Sequence, residues 1–361
     1  MSILRHEQPP AAAWDSLIRH LPGAHPLQTA AWGAFKQRST GWQPSFHLWR
    51  EGETVRAAAM LLTRRIGPLA VQYIPKGPLL DYTDLALLDR VSADLQAISR
   101  QAFAIQIKID PDVVMARGEP GTPEDRADAN GAAVMEVLRR RGWRASPEQV
   151  QFRNTILIDL RQGEEAILAG MGQGKRRKVR YGPKHGVTVR AGSAADFEMM
   201  YALYAETGAR NGFLTRPYAY YLEEWGMMLE AGHAHLLIAE VEGRPVAHVV
   251  LFHFGGKCLY FIGASTSDNE LRKLMPADLL QWEAMRWAAA QGYAIYDLWG
   301  APTRFDDSDP LWGVYGFKRD FGGELVRYIG AWDYTPLPPL YALYHEAMPR
   351  LRKMIRRLRR R

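Results

Sequence analysis

Strand-like and helical patterns alternate along both halves of this chain, and the pattern starts again after a linker near residues 145–148. Alternating apolar and polar residues at 104–109 and 245–254 predict strands, and an apolar stripe at 85–103 predicts an amphipathic helix. The strands follow one another mostly as hairpins, without the strict strand–helix order of a doubly wound sheet. The sequence therefore predicts two mixed α/β domains in tandem.

Composition limits the class of protein. The 361 residues are enough for about two domains, and a hydrophobic content of 47% allows each domain a buried core. No apolar run approaches the ~18 residues that span a bilayer, and the first ten residues lack the apolar region of a signal peptide. Cys258 is the only cysteine, which excludes an intrachain disulfide and favours a reducing cytoplasm.

Basic charge is concentrated at the end of the chain. Residues 350–361, which begin at Arg350 and end at Arg361, contain eight basic side chains and no acid, and removing them takes the net charge from +7 to −1. Apolar residues keep a helical spacing from Leu340 through this run. The pattern is typical of an amphipathic helix that lies peripherally on an anionic membrane. The alternatives are an RNA-binding tail and a disordered basic end.

The most distinctive segment is residues 295–330. It begins with a strand-like run, IYDLW at 295–299, that leads into a Gly-Ala-Pro turn. An acidic loop at 306–310 follows, then an aromatic and glycine-rich segment that contains only one lysine, Lys318, and finally a strand-like run at 324–329. This ordered series resembles the C-terminal signature of the FemABX family, the aminoacyltransferases that build peptidoglycan bridges from aminoacyl-tRNA.

The resemblance extends over most of the chain. Further landmarks are HPLQTAAWGAFK at 25–36, YIPKGP at 73–78, IKIDP at 107–111, QFRNT at 151–155 and LYFIGAS at 259–265. It implies two acetyltransferase-like (GNAT-type) domains with a cleft between them. We expect residues 1–148 plus 322–361 to form the first domain and residues 149–321 the second. No long charged heptad stretch is present, so the chain resembles the FemX-like subtype without a helical arm.

The implied function is transfer of an amino acid from aminoacyl-tRNA, as co-substrate, to the stem-peptide amine of a lipid-linked or UDP-linked peptidoglycan precursor. An acyl-CoA-dependent N-acyltransferase and a non-catalytic module that binds membrane or RNA are the alternatives. The sequence contains no clear pyrophosphate loop of acetyl-CoA enzymes, and we expect no cofactor. We also expect no metal, because His233 and His235 alternate on a predicted strand without a nearby pair of carboxylates.

Two cations, one from each domain, are candidates for binding the diphosphate of the precursor. The resemblance places Lys36 in this role, together with Trp32 from the same short helical segment. It also implies a phosphate ligand at Arg210, which precedes an Asn-Gly pair expected to end a helix. Cationic side chains are suitable partners for phosphate. For Lys36 and Arg210 the alternative is a helix C-terminal cation that interacts with the helix dipole.

Three further residues are assigned to the cleft. Asp110 follows a predicted strand and precedes Pro111, where it would orient or deprotonate the attacking amine; an Asx-type turn is the alternative. Tyr218 and Tyr260 resemble family positions that line the substrate cleft. For both tyrosines the alternative is a buried core position.

Lys318 is the candidate for the chemical step. Attack of an amine on the aminoacyl ester places negative charge on the ester oxygen, and a fixed cation nearby lowers that barrier. The aromatic neighbours Tyr315 and Phe317 are expected to form a partly desolvated wall. The alternative is a surface lysine in a loop. No covalent intermediate is expected, because Cys258 lies within a predicted strand with no histidine partner in the local sequence.

A basic run from Lys175 to Arg180, followed by Lys184 and His185, is the candidate for contact with the tRNA acceptor backbone. Three glycines between 170 and 174 weaken the helix expected there. The alternative is a solvated charged face.

Overall fold

The computed structural model describes residues 4–346. Its strands in chain order are β1 Leu4–Glu7, β2 Gln43–Glu51, β3 Thr54–Ile66, β4 Leu69–Ile74, β5 Leu79–Leu80, β6 Ala104–Ile109, β7 Val114–Arg117, β8 Arg126–Ala127, β9 Arg144–Ala145, β10 Asn154–Asp159, β11 Val187–Ala191, β12 Ala234–Val241, β13 Arg244–Phe254, β14 Lys257–Ser265, β15 Ile295–Asp297, β16 Glu324–Tyr328 and β17 Trp332–Tyr334. The basic segment 350–361 lies outside the described residues.

The helices are α1 Ala11–Ile18, α2 Ala30–Thr40, α3 Leu85–Gln101, α4 Ala129–Arg140, α5 Glu164–Gly170, α6 Gln173–Lys184, α7 Phe197–Asn211, α8 Tyr218–Glu230, α9 Asn269–Arg272, α10 Pro276–Ala290 and α11 Trp312–Arg319. Short 3-10 turns lie at Pro26–Gln28, Leu160–Gln162 and Ala194–Asp196. A last helix is described over residues 338–346. None of the helices within 4–346 combines the length and the apolar character that crossing a bilayer requires.

The first sheet has the strand order β1-β2-β3-β4-β6-β17-β9, with β5 paired to β3. Only the β4–β6 pair is parallel among these strands. Asp84 caps helix α3, because its side chain accepts a hydrogen bond from the backbone N–H of Leu87 at 2.9 Å. The apolar stripe of α3, with Val91 and Leu95, is buried in one cluster with Ile107 of β6. The stripe predicted at 85–103 is therefore the face that covers this sheet.

The second sheet has the order β11-β12-β13-β14-β15-β10-β16-β7-β8, with a single parallel pair, β14–β15. Helix α10 starts with Pro276 at its first turn, where proline is well accommodated. Its buried residues, among them Leu279 and Met285, pack in one cluster with Val249 and Leu251 of β13. Helix α10 therefore covers this face of the second sheet.

Strand pairing crosses the expected domain boundaries. Strands β7 and β8, which come from the first half of the chain, form the edge of the second sheet, and β7 pairs with β16. The chain then passes from β16 in the second sheet to β17 in the first sheet through residues 329–331. Strands β7, β8 and β16 thus belong to the second sheet, although the expected boundaries assigned their residues to the first domain.

One hydrophobic cluster joins the two halves. Trp14, Trp32 and Phe35 of the first half are buried together with Trp225 and Phe252 of the second half. The rings of Trp32 and Phe252 lie 6.3 Å apart with an edge-to-face tilt of 71°. Because this core is continuous, the two sheets hold the residues at their junction in a fixed relation.

Candidate functional site

The second sheet splits beside β15. Strands β14 and β15 pair only over residues 257–259 and 295–297. Beyond β15 the chain continues along β10 instead. The N–H of Leu298 donates to the carbonyl oxygen of Ile156 at 2.9 Å, and the N–H of Ala301 donates to that of Asn154 at 2.8 Å. Within the described part of the chain, residues 260–265 of β14 therefore have no strand partner on this side, and a gap opens between them and residues 298–301.

Lys318 fills this gap. It belongs to helix α11, not to a loop, and it is buried. Its Nζ donates to the carbonyl oxygen of Trp299 and to that of Gly300, the latter at 2.8 Å, and lies 5.6 Å from the ring centre of Tyr260. An ammonium has three N–H donors. With two donated to carbonyls, one remains to stabilise an oxygen that enters the gap.

Burial controls the charge of Lys318. It lowers the pKa of this lysine to about 7, while the negative charge of Asp297 acts in the opposite direction. Asp297 also accepts hydrogen bonds from the Thr155 hydroxyl and, at 2.9 Å, from the N–H of Trp299. The latter bond fixes the turn at Trp299, whose φ of +51° lies in the left-handed region. Asp297 therefore positions the carbonyls that hold Lys318.

A second group of charged residues lies where α2 of the first half meets α8 of the second. The Nζ of Lys36 donates to the Tyr220 hydroxyl at 3.3 Å and lies 4.6 Å from the centre of the Trp32 ring. The guanidinium of Arg216 lies 4.5 Å from the centre of the Tyr220 ring. Buried Glu224 interacts with both cations. We call Lys36, Arg216, Tyr220 and Glu224 the Lys36 cluster.

The Lys36 cluster has surplus positive charge. Burial lowers the pKa of Lys36 to about 8, with Glu224 opposing, and raises the pKa of Glu224 to about 7, with Lys36 and Arg216 opposing. Two cations thus share one buried carboxyl, whose ionisation burial opposes. Such a group is suited to an added anion with two charges, such as a diphosphate.

Arg210 does not share these contacts. It lies in the last turn of α7, as predicted, but its guanidinium donates to the carbonyl oxygens of Ser265 at 2.9 Å and Thr266 at 3.1 Å. No described contact of Arg210 is a contact of Lys36. The cation that accompanies Lys36 is Arg216, which sequence reasoning missed. Arg216 lies in the loop just before α8, two residues from the predicted Tyr218, and no local pattern singled it out.

An aromatic residue connects Lys36 with Lys318. Phe261 is the extra residue of an irregularity in β14, since Val250 pairs with Ile262 and Leu251 with Tyr260. The Phe261 ring lies 6.2 Å from Trp32 beside Lys36 and 6.3 Å from Trp299, whose carbonyl accepts from Lys318. The structure therefore brings four predicted residues, Lys36, Trp32, Tyr260 and Lys318, to one continuous region.

The two tyrosines predicted for the cleft have different surroundings. Tyr260 faces Lys318, and burial raises its pKa to about 12, so it stays a neutral phenol at physiological pH. Tyr218 begins α8 and packs against Tyr201 with 5.2 Å between ring centres, half-buried at the outer end of the helix.

Asp110 lies at the end of β6, as predicted. It accepts from the Tyr73 hydroxyl at 2.7 Å and from the N–H of Lys76 at 2.6 Å. Burial raises its pKa to about 6, while the charge of Lys76 has the opposite effect. The Nζ of Lys76 lies 5.2 Å from the centre of the Trp299 ring, which connects Asp110 to the Lys318 region.

Buried ion pairs join the two sheets beneath this region. Asp112, just after β6, pairs with Lys76 at 2.9 Å and with Lys257 of β14 at 2.7 Å. Lys257 also lies 3.6 Å from Asp297. Burial opposes ionisation of Asp112, but Lys257 and Lys76 hold its pKa well below its usual range. This network links Asp110 of the first half to the carboxylate that positions Lys318.

The basic run forms a separate surface. A break at Met171 and Gly172 divides the weakened segment into α5 and α6. Lys175 is buried and pairs with Asp278 at 2.7 Å, so it is not part of the solvated face. The exposed basic side chains on α6 or directly after it are Arg177, Arg180, Lys184 and His185. Exposed Tyr181 stacks on His185 at 3.7 Å between ring centres, and a groove of about 700 Å³ runs along this face.

Fold and site together define a tandem acetyltransferase-like protein whose second sheet splits around a buried lysine. The FemAB family model matches residues 14–244 and 230–348. This chain belongs to the FemAB family. The family and the fold class predicted from the sequence are confirmed, as is the prediction of an aminoacyltransferase.

Named relatives agree with this assignment. The chain is 25% identical over 407 aligned residues to a lipid II:glycine glycyltransferase of Staphylococcus haemolyticus, covering 94% of each chain. It is 25% identical over 410 residues to the protein of the same name from Staphylococcus aureus, again with 94% of each chain covered. Both alignments are longer than the 361 residues of this chain, so these relatives contain insertions that it lacks.

Two solved structures share the fold. The FemX crystal structure superposes with a TM-score of 0.83 at 21% identity, covering 94% of this chain and 99% of FemX. A tandem GNAT protein from the clavulanic acid biosynthesis pathway gives a TM-score of 0.51 at 13% identity, with 92% and 98% coverage. The tandem arrangement predicted from the sequence is thus a known fold.

Proposed function

We propose that this protein transfers an amino acid from aminoacyl-tRNA to the stem-peptide amine of a peptidoglycan precursor. The observation that carries the proposal is Lys318, a buried ammonium in the split of the second sheet with one N–H left for a reacting oxygen. The names of the staphylococcal relatives, lipid II:glycine glycyltransferases, support a lipid-linked precursor as acceptor.

The reaction needs one bond to form and one to break. The neutral stem amine attacks the ester carbonyl carbon, and the negative charge that develops on the carbonyl oxygen is stabilised by Lys318. The ester C–O bond then breaks, an amide remains on the precursor, and the terminal tRNA hydroxyl leaves with the proton that the amine has lost. Asp110 assists as acceptor or orienting group for that amine.

Direct transfer also agrees with the state of Cys258. This thiol is fully buried, and burial raises its pKa well above its usual range. A neutral, enclosed thiol is a poor nucleophile. The ester is already activated, so no enzyme-bound intermediate is required.

The Lys36 cluster would bind the diphosphate of the precursor. Lys36 comes from the first half and Arg216 from the second, so a diphosphate held by both would be gripped at the junction of the two sheets. Phe261 and Trp32 then form the apolar wall between this cluster and Lys318.

The exposed face of α6 would receive the tRNA backbone. Arg177, Arg180 and Lys184 can neutralise phosphates, and the stacked Tyr181–His185 pair offers a ring surface to an unpaired base. Lys175 holds this helix to α10 through Asp278, so the face has a fixed position relative to the second sheet.

One experiment tests the proposal. The full-length protein is incubated with a mixed aminoacyl-tRNA pool and with a lipid-linked or a UDP-linked precursor, and product mass is measured. We expect a product that is heavier than the precursor by one aminoacyl residue. This product should not form when the tRNA pool has first been treated with ribonuclease. Labelled acetyl-CoA is offered in parallel. Transfer from the thioester alone, insensitive to ribonuclease, would refute the proposal in favour of an acyl-CoA-dependent enzyme.

A further inference from the structure

The α7–α8 hairpin presents an aromatic surface around buried Tyr221. The rings of Tyr204 and Tyr220 lie 5.3 and 5.4 Å from that of Tyr221. The rim members are half-buried, which leaves part of each ring in solvent. We call this surface the tyrosine face; its rim consists of Tyr201, Tyr204, Tyr218 and Tyr220.

The loop between the two helices is held firmly at both ends. At its start, the N–H of Phe213 donates to the carbonyl oxygen of Gly208 at 3.1 Å, and the Phe213 ring lies 5.6 Å from Tyr204. At its end, the N–H of Arg216 donates to the Tyr221 hydroxyl at 3.3 Å. The close approach of this loop to Gly208 leaves little room, since a Cβ there would lie 3.1 Å from the Phe213 oxygen.

Between these anchors Leu214 projects into solvent. Leu214 is 84% exposed, and Phe213 is 39% exposed. A single exposed leucine is ordinary on a protein surface. Here, however, an exposed leucine, a half-exposed phenylalanine and a rim of amphipathic tyrosines form one patch on a short, fixed loop.

The loop segment of this patch is basic, and the acids Glu206 and Glu223 flank it in sequence. Residues 207–222 contain two arginines, Arg210 and Arg216, and no acid. Tyrosine is enriched where proteins meet the bilayer interface, and each cation near an anionic leaflet is attracted to it. An aliphatic tip, a tyrosine rim and arginines are the three components that an interfacial contact requires.

The patch adjoins the proposed diphosphate site. Arg216 and Tyr220 belong both to the loop–α8 segment and to the Lys36 cluster, and Leu214 lies two residues before Arg216. The diphosphate of a lipid-linked precursor lies at the membrane surface, because its lipid chain is in the bilayer. A protein that binds this diphosphate at the membrane must place its diphosphate-binding residues, here the Lys36 cluster, close to the headgroups.

We propose that the α7–α8 tip is a membrane-contacting surface, in which Leu214 and Phe213 enter the interface of a lipid bilayer and the tyrosine face lies at its headgroups. This contact sets the Lys36 cluster at the depth of the lipid-linked diphosphate. The inference rests on the proposed function for its acceptor, but Leu214 and Phe213, which would enter the bilayer, are not members of the Lys36 cluster.

The test compares Leu214→Ser and Leu214→Trp with Ile66→Ser in the full-length chain. Ile66 is 47% exposed at the end of β3 and serves as a matched surface control. Binding to vesicles of phosphatidylcholine and phosphatidylglycerol is measured by sedimentation at high salt, which screens attraction by basic segments. KM is measured for lipid-linked precursor in vesicles and for soluble UDP-linked precursor.

We expect Leu214→Ser to weaken vesicle binding about tenfold, a factor that interfacial burial of one leucine readily supplies, and Leu214→Trp to strengthen it. KM should rise for the lipid-linked precursor alone, and Ile66→Ser should match wild type. Unchanged vesicle binding by both Leu214 variants would overturn the inference. An equal rise in KM for both precursors would also overturn it, because the loop would then contact the precursor itself. Wild-type inactivity on both precursors would refute the proposed function instead, and the vesicle measurement would still decide the membrane contact.

Discussion

Replacing Lys318 by methionine should lower turnover strongly without a comparable loss of stability. The lowering of its pKa from 10.5 to about 7 corresponds to a cost of about 5 kcal/mol for the charged form at neutral pH, at about 1.36 kcal/mol per pKa unit. Methionine keeps the length without the charge and removes this cost. It also leaves the carbonyls of Trp299 and Gly300 without their donor, at about 1–3 kcal/mol each. The stability of the variant should therefore lie between about 1 kcal/mol below and about 3 kcal/mol above that of wild type.

Turnover should fall strongly in the same variant. Removing one preorganised donor from a developing oxyanion costs about 100- to 1000-fold in kcat. Affinity for the precursor should change little, because Lys36 and Arg216 remain in place. A fall in kcat with constant KM identifies an interaction that exists only in the transition state.

The pH dependence supplies an independent readout. Unfolded Lys318 keeps its proton up to about pH 10.5, whereas the folded residue releases it above about 7. The contribution of Lys318 to the free energy of unfolding is therefore least favourable below pH 7 and improves as pH rises towards 10.5. In wild type kcat should decline as pH rises through about 7, since the charged form is lost. Lys318→Met should lack both dependences.

The assay is denaturant unfolding combined with steady-state kinetics over a pH series. Lys273→Met, at an exposed lysine paired with Glu270, is the control and should change neither quantity. If Lys318→Met loses several kcal/mol of stability, its role is structural. If it retains wild-type kcat, the assignment of the oxyanion to Lys318 is wrong.

Three further outcomes are expected. Lys36→Ala and Arg216→Ala should each raise KM for precursor about tenfold or more with little change in kcat, whereas Arg210→Ala should affect KM less; equal effects at positions 210 and 216 would place both arginines on the diphosphate. In wild type kcat should fall as pH drops through about 6, because burial raises the pKa of Asp110 to that value and its base form is lost below it; Asp110→Asn should abolish this limb in a pH–rate series, and a persisting limb would assign it to another group. Cys258→Ala should keep turnover within about twofold in the same assay, and complete loss would contradict direct transfer.

Local patterns were sufficient for many of the elements and for part of the site, although they did not predict β8 or helix α11. The apolar stripe of α3 and the alternation in β6 and β13 follow from periods of 3.6 and 2, which depend only on neighbouring residues. Lys36, Tyr260 and Lys318 could be named because they lie in motifs that are continuous in sequence. Their roles in binding and catalysis remain predictions, and the membrane role of residues 350–361 falls outside the described residues.

The tertiary structure decided what the sequence left open. Strands β16 and β7 pair although about 200 residues separate them, and no local pattern encodes such a partner. Lys36 shares Tyr220 and Glu224 with Arg216, and not with Arg210, because of where α8 docks on α2. Lys318 is buried because β14 and β15 diverge, so its lowered pKa depends on a gap between distant strands. Sequence periodicity determines which faces are apolar, but long-range packing determines which polar groups share a desolvated space and hence which of them are reactive.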